Sequence, residues 1–158
     1  MERYWGNYIG DTDDSLTLLA YLSGKGNAAL SLREILSDFG LDLHGNIRQT
    51  DPSLSYTTPE GWEMDIHCAI DLVMDLAALL LACRTDGSVS LLELGEETGL
   101  SGGCLRITAS PEELEDIGRV LADFAVSPAS YDLSGLMDEE DLSELAGLLG
   151  ALRKELCG

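Results

Sequence analysis

Apolar residues recur at spacings of three and four through the second half of the chain. Leu114, Ile117, Val120, Leu121 and Phe124 form one such stripe, which predicts an amphipathic helix. Its start is encoded in Ser110-Pro-Glu-Glu113. Ser110 is the cap, Pro111 takes the first helical position, and Glu113 closes a capping box. A second stripe, Leu142, Leu145, Leu148, Leu149, Leu152 and Leu156, predicts a last helix from about 138 to 156. Between the two, residues 126–136 contain Pro128 and Gly135 and read as a loop.

The segment from about Met64 to Cys83 is the most apolar in the chain. Its polar residues are Asp65, His67, Asp71 and Asp75. The last three stand at i, i+4 and i+8, a single narrow stripe of a helix whose remaining circumference is apolar. Such a helix is expected to be central and buried on most sides. The pattern leaves open where it begins.

Strands are predicted where the period drops to two. Ser53-Leu-Ser-Tyr-Thr-Thr58 and the alternating Trp62, Met64 and Ile66 flank the turn Pro59-Glu-Gly61, as in a hairpin. Residues 88–94 and 104–109 also read as strands, joined by the glycine-containing loop 95–103. In the first half, Leu16 to Leu22 predicts a short helix capped by Asp13 or Asp14 and ended by Gly24-Lys-Gly26. Ser31 with Glu34 starts another, which Gly40 stops. The aromatic run Tyr4 to Ile9 reads as an edge strand or a packed arm. The expected fold class is α+β, with about five helices around a buried central helix and a small antiparallel sheet. At 158 residues, with no linker or repeat, positions 1–158 read as a single domain.

Charge changes the picture most. Twenty-nine Asp and Glu face nine Lys and Arg, a formal net charge of -20. A small domain stays soluble with a magnitude of roughly 2–8. Such a surface repels nucleic acid and anionic membranes, and it attracts basic protein partners. Residues 112–144 hold eleven acids and one Arg (Arg119), about half of the net charge. Part of that density lies at two predicted helix starts, where carboxylates complement the helix dipole. Two readings stand: a solubility device, or a face that steers a partner.

Little in the sequence points to catalysis or to a cofactor. Cys68, Cys83, Cys104 and Cys157 form no C-x-x-C pair, and no His spacing accompanies them, so no zinc motif is read. The run Asp11-Thr-Asp-Asp-Ser15 resembles the start of a calcium loop. Leu16 and Leu22 stand where that loop needs Gly and Glu, so helix capping is the reading. His67, Asp71 and Asp75 offer a metal or general-base stripe, against the plainer reading of a polar edge on a buried helix. There is no P-loop or G-x-G-x-x-G, and Gly99-Leu-Ser-Gly-Gly103 reads as a flexible glycine-rich hairpin connection. A non-enzymatic protein without a cofactor is expected. The N-terminus has no basic-then-apolar leader, and the longest apolar run, Leu76 to Cys83, is too short for a bilayer, which favours the cytoplasm. The aromatics Tyr4, Trp5 and Tyr8 anchor a terminal arm or an interface. Candidate partner-binding residues are Trp5, Asp11, Asp13, Asp14, Glu96, Glu97, Asp138, Glu139, Glu140 and Asp141.

One stretch adds a direction. Cys104-Leu-Arg-Ile-Thr-Ala-Ser-Pro-Glu-Glu-Leu-Glu-Asp-Ile-Gly-Arg-Val-Leu121 resembles a strand–cap–helix unit of small bacterial immunity proteins from polymorphic toxin systems. The short, acidic, motif-free profile is similar to theirs as well. The resemblance implies an immunity protein that binds and occludes a cognate toxin, often a basic nuclease. It transfers no residue-level site. The alternative is an acidic regulatory or adaptor domain with no toxin partner.

Overall fold

The structure is a computed structural model that describes residues 4–6, 8–25, 29–90 and 103–157. Its elements are α1 (Asp13–Lys25), β1 (Ala29–Ser31), α2 (Leu32–Phe39), β2 (Ser55–Thr57), β3 (Glu63–Asp65), α3 (Ala69–Asp86), β4 (Val89–Ser90), β5 (Cys104–Thr108), α4 (Pro111–Val126) and α5 (Glu139–Cys157). Two short 3₁₀ turns, Pro128–Ser130 and Asp132–Gly135, join α4 to α5. Among the described residues the fold is α+β, with five helices.

Helix α3 is the centre. From Ala69 to Leu80 every residue is buried, because α1, α4, α5 and β5 all pack against it. A helix apolar on all sides has no solvent face to offer. The start that the pattern left open lies after the hairpin: 63–65 pair as β3, and His67 precedes the helix. The hairpin register is Ser55↔Asp65, Tyr56↔Met64 and Thr57↔Glu63, closed by Gly61 N–H on the Thr58 carbonyl at 2.9 Å.

Helices α4 and α5 run antiparallel, the start of α4 beside the end of α5. The Cys157 thiol donates to the Leu114 carbonyl at 3.4 Å, and Gly150 faces Ala125. Gly118 permits the close approach, since a Cβ there would sit 2.8 Å from Cys157 Sγ. Ser110 caps α4 as expected, its Oγ accepting from Glu113 N–H at 3.2 Å, but the Glu113 side chain does not close the box and its buried Oε2 has no partner. The cap of α2 likewise uses Ser31 and Glu34, and Gly40 ends that helix at φ +78°.

Two local expectations are corrected. Thr12, not Asp13 or Asp14, caps α1: its Oγ1 accepts from Ser15 N–H at 3.1 Å, and Ser15 Oγ accepts from Thr12 N–H at 3.3 Å. The sheet is mixed. Strand β5 pairs antiparallel with β4 (Val89↔Leu105) and parallel with β1 (Leu30↔Ile107). A three-residue strand with one buried side chain leaves no local signature, and its partner is more than seventy positions away. The expected strand over 88–94 is described only at Val89–Ser90, and the loop that follows lies outside the described residues.

Candidate functional site

Helix α3 begins at Cys68, which occupies the cap position without a side-chain capping bond. The orphan N–H groups at that helix start are satisfied from other elements. Asp14, in the first turn of α1, accepts from His67 N–H at 2.8 Å and from Cys68 N–H at 2.9 Å. Thr50 Oγ1 accepts from Ala69 N–H at 2.8 Å. Asp132 in turn accepts from Thr50 N–H at 2.9 Å, which ties the 3₁₀ segment to the same junction.

These contacts gather four segments around an open cleft of about 740 Å³. Asp14, Cys68 and Asp71 lie at its buried end. Met74, Leu133, Leu136, Met137 and Leu145 give it apolar walls, and its polar lining includes Tyr8, Asp11, Asp13, His67 and Asp132. Among the described residues no Lys or Arg lines it. Several arginines brace backbone or acids elsewhere. Arg84 donates to the Leu156 carbonyl at 2.6 Å and Arg119 to the Leu43 carbonyl at 3.1 Å. Arg48 holds Asp123 through two bonds of 2.7 and 2.9 Å.

The buried carboxylates are unusual. Asp14 is 1 % exposed, Asp71 3 % and Asp75 0 %. Burial pushes the Asp71 carboxyl well above the ordinary carboxylate range, helped by its hydrogen bond to Asp14 and by the charges of Asp14, Asp75 and Asp132. Burial pushes Asp75 up to about 7, although Ser15 Oγ at 2.6 Å and Gly10 N–H at 2.9 Å stabilise its ionised form. The Cys68 thiol is pushed up to about 12, first by burial and then by its acidic neighbours.

Of the acids singled out in the sequence, Asp11 and Asp13 are exposed and line the cleft. Asp14 lies beneath them with both oxygens committed to backbone. Asp138, Glu139 and Glu140 are exposed at the start of α5, and Asp141 is half-buried. Asp138 Oδ1 caps α5 through Asp141 N–H at 2.9 Å. Tyr8 joins the two acidic runs, because its hydroxyl lies 3.0 Å from both Asp141 Oδ1 and Glu144 Oε2. Those carboxylates raise the Tyr8 pKa. Glu96 and Glu97 lie outside the described residues. Trp5 is half-buried in a packed arm: it bridges Ile9, and its ring lies where a side chain on Gly10 would be.

The His67–Asp71–Asp75 stripe does not form. His67 is exposed ahead of the helix, whereas Asp71 and Asp75 are buried within it. Sequence reasoning missed Asp132, Leu136 and Met137, and it assigned Cys68 to no metal motif. No spacing rule links Asp132 to Asp71 across sixty positions. Leu136 carried a weak signal, an apolar residue in a polar loop, and it is 71 % exposed at the cleft.

The family model described as Immunity protein 68 matches residues 1–156. The chain belongs to that family. No curated protein and no solved structure matches it. As an immunity protein it carries an α+β fold, and no helix among the described residues is long and apolar enough to cross a membrane.

Proposed function

We propose that this immunity protein neutralises a cognate toxin by binding it, with the acidic cleft as the contact surface and no chemical step. The carrying observation is the convergence of two acidic runs far apart in sequence. Asp11 and Asp13 line the cleft, and Asp138 to Glu144 sit beside it through Tyr8. Exposed Leu136 adds an apolar anchor among these charges. An acidic rim around apolar surface suits a basic protein partner: charge speeds the encounter, and desolvated apolar contact holds it. The same charge disfavours nucleic acid as the ligand.

The cytoplasm is the compartment this reading favours, since the four cysteines form no disulfide. The test is co-expression with candidate toxin domains from the neighbouring genes, with survival and complex formation as readouts. Rescue of growth, with a complex whose association slows as salt rises, supports the reading. A toxin that kills equally with and without this chain contradicts it. A complex that forms at a salt-independent rate removes charge steering from the mechanism.

A further inference from the structure

We propose that Asp14, Cys68 and Asp71 form a site for one zinc-class divalent ion at the buried end of the cleft. One oxygen or sulfur atom from each of the three lies within 4.8 Å of the others, and all three residues are buried. A second observation points to a missing partner. Asp71 Oδ1 is buried and has no hydrogen-bond donor, although the residue is only 3 % exposed and lines the cleft. Asp132 Oδ1, in the same cleft, is also buried and unpartnered. Orphaned buried acceptors in a native fold call for an explanation, and an ion supplies one.

The first ligand is preset. The N–H groups of His67 and Cys68 fix the Asp14 carboxylate, and each of its oxygens keeps a further lone pair. Cys68 and Asp71 are one helical turn apart at the start of α3, so their placement follows from the helix itself. A thiolate beside carboxylates selects zinc over calcium or magnesium, which take oxygen ligands alone. The thiol proton of Cys68, and the carboxyl proton through which Asp71 hydrogen-bonds Asp14, leave to solvent as the bonds to the metal form. Three protein ligands leave a fourth position for Asp132 or a water, and the open cleft is the entry path. No spacing motif announces such a site, because its ligands come from α1 and from the start of α3.

This inference is independent of the toxin. The experiment uses the full chain carrying Cys104→Ser and Cys157→Ser, which removes the two exposed thiols. The protein is incubated with zinc chloride, dialysed and assayed for metal by mass spectrometry, and a cobalt(II)-loaded sample is read for thiolate charge transfer. The proposal expects one ion per chain, a cobalt–thiolate band, and a melting temperature raised by zinc. Adding Cys68→Ser abolishes the band, and either Cys68→Ser or Asp71→Asn abolishes retention and the thermal shift. Either variant suffices if the other fails to fold. Absence of retained metal overturns the proposal, as does equal retention in the parent and in a folded Cys68→Ser or Asp71→Asn variant.

Discussion

Raising the pH from 5 to 7 should destabilise this protein, the reverse of what a carboxylate held by a salt bridge produces. Asp75 is fully buried and keeps its proton up to about pH 7, whereas in the unfolded chain it ionises near pH 4. Between those values the folded state holds one proton more than the unfolded state. Stability from this group is complete below the unfolded pKa and is lost as pH rises toward the folded one. One proton of difference is worth about 1.4 kcal/mol per pH unit and shrinks to half a proton at the folded value, so Asp75 alone accounts for a fall of about 2 kcal/mol from pH 5 to 7. Asp71, raised by burial and by Asp14, acts in the same direction. Asp123 and Asp51 have lowered pKa values, so their contribution is lost only on acidification below about pH 4, outside this window. The assay is urea unfolding followed by circular dichroism at pH 5, 6 and 7 and constant, high ionic strength, which suppresses repulsion between surface acids. Asp75→Asn keeps an acceptor for Gly10 N–H and should flatten the profile. Stability that is constant or rises from pH 5 to 7 would refute the reasoning, as would an equally steep profile in Asp75→Asn.

Other substitutions probe the junction around the cleft. Asp14→Ala strips the acceptor from two backbone N–H groups at the start of α3 and should cost about 3 kcal/mol in urea unfolding at neutral pH. Gly10→Ala forces a left-handed backbone (φ +80°) on a residue with a side chain and drives a Cβ into the Trp5 ring. It should cost about 2 kcal/mol and shift tryptophan emission to the red as the arm loosens. Leu79→Ala opens a cavity in the fully buried α3 and should cost about 2–5 kcal/mol in the same assay.

The elements with strong local chemistry were legible in sequence. Ser110-Pro-Glu-Glu113 starts α4, Ser31 starts α2, and the leucine stripe of α5 is buried at Leu142, Leu145, Leu149, Leu152 and Leu156. The cleft was not legible, because Tyr8, Asp14, Asp71 and Asp132 meet only through tertiary packing. The spacing of Asp71 and Asp75 identifies a helical stripe but says nothing of its depth. On a helix surrounded by other elements, a polar stripe becomes a buried cluster instead of an edge. The cap of α1 shows a smaller case: Thr12 takes the local role, which leaves Asp14 to cap a different helix.

The central claim is that the toxin reads the cleft and not the overall charge. The decisive measurement compares two variants of equal charge loss against the cognate toxin domain that the co-expression test identifies. Asp11→Asn with Asp13→Asn alters the cleft. Glu112→Gln with Glu115→Gln alters exposed acids at the start of α4, beside the C-terminal end of α5. That end lies about 28 Å along the helix from the acidic start of α5. The account predicts association slowed roughly tenfold at low salt by the first pair and much less by the second. Equal slowing by both pairs, or none by the first, would contradict it.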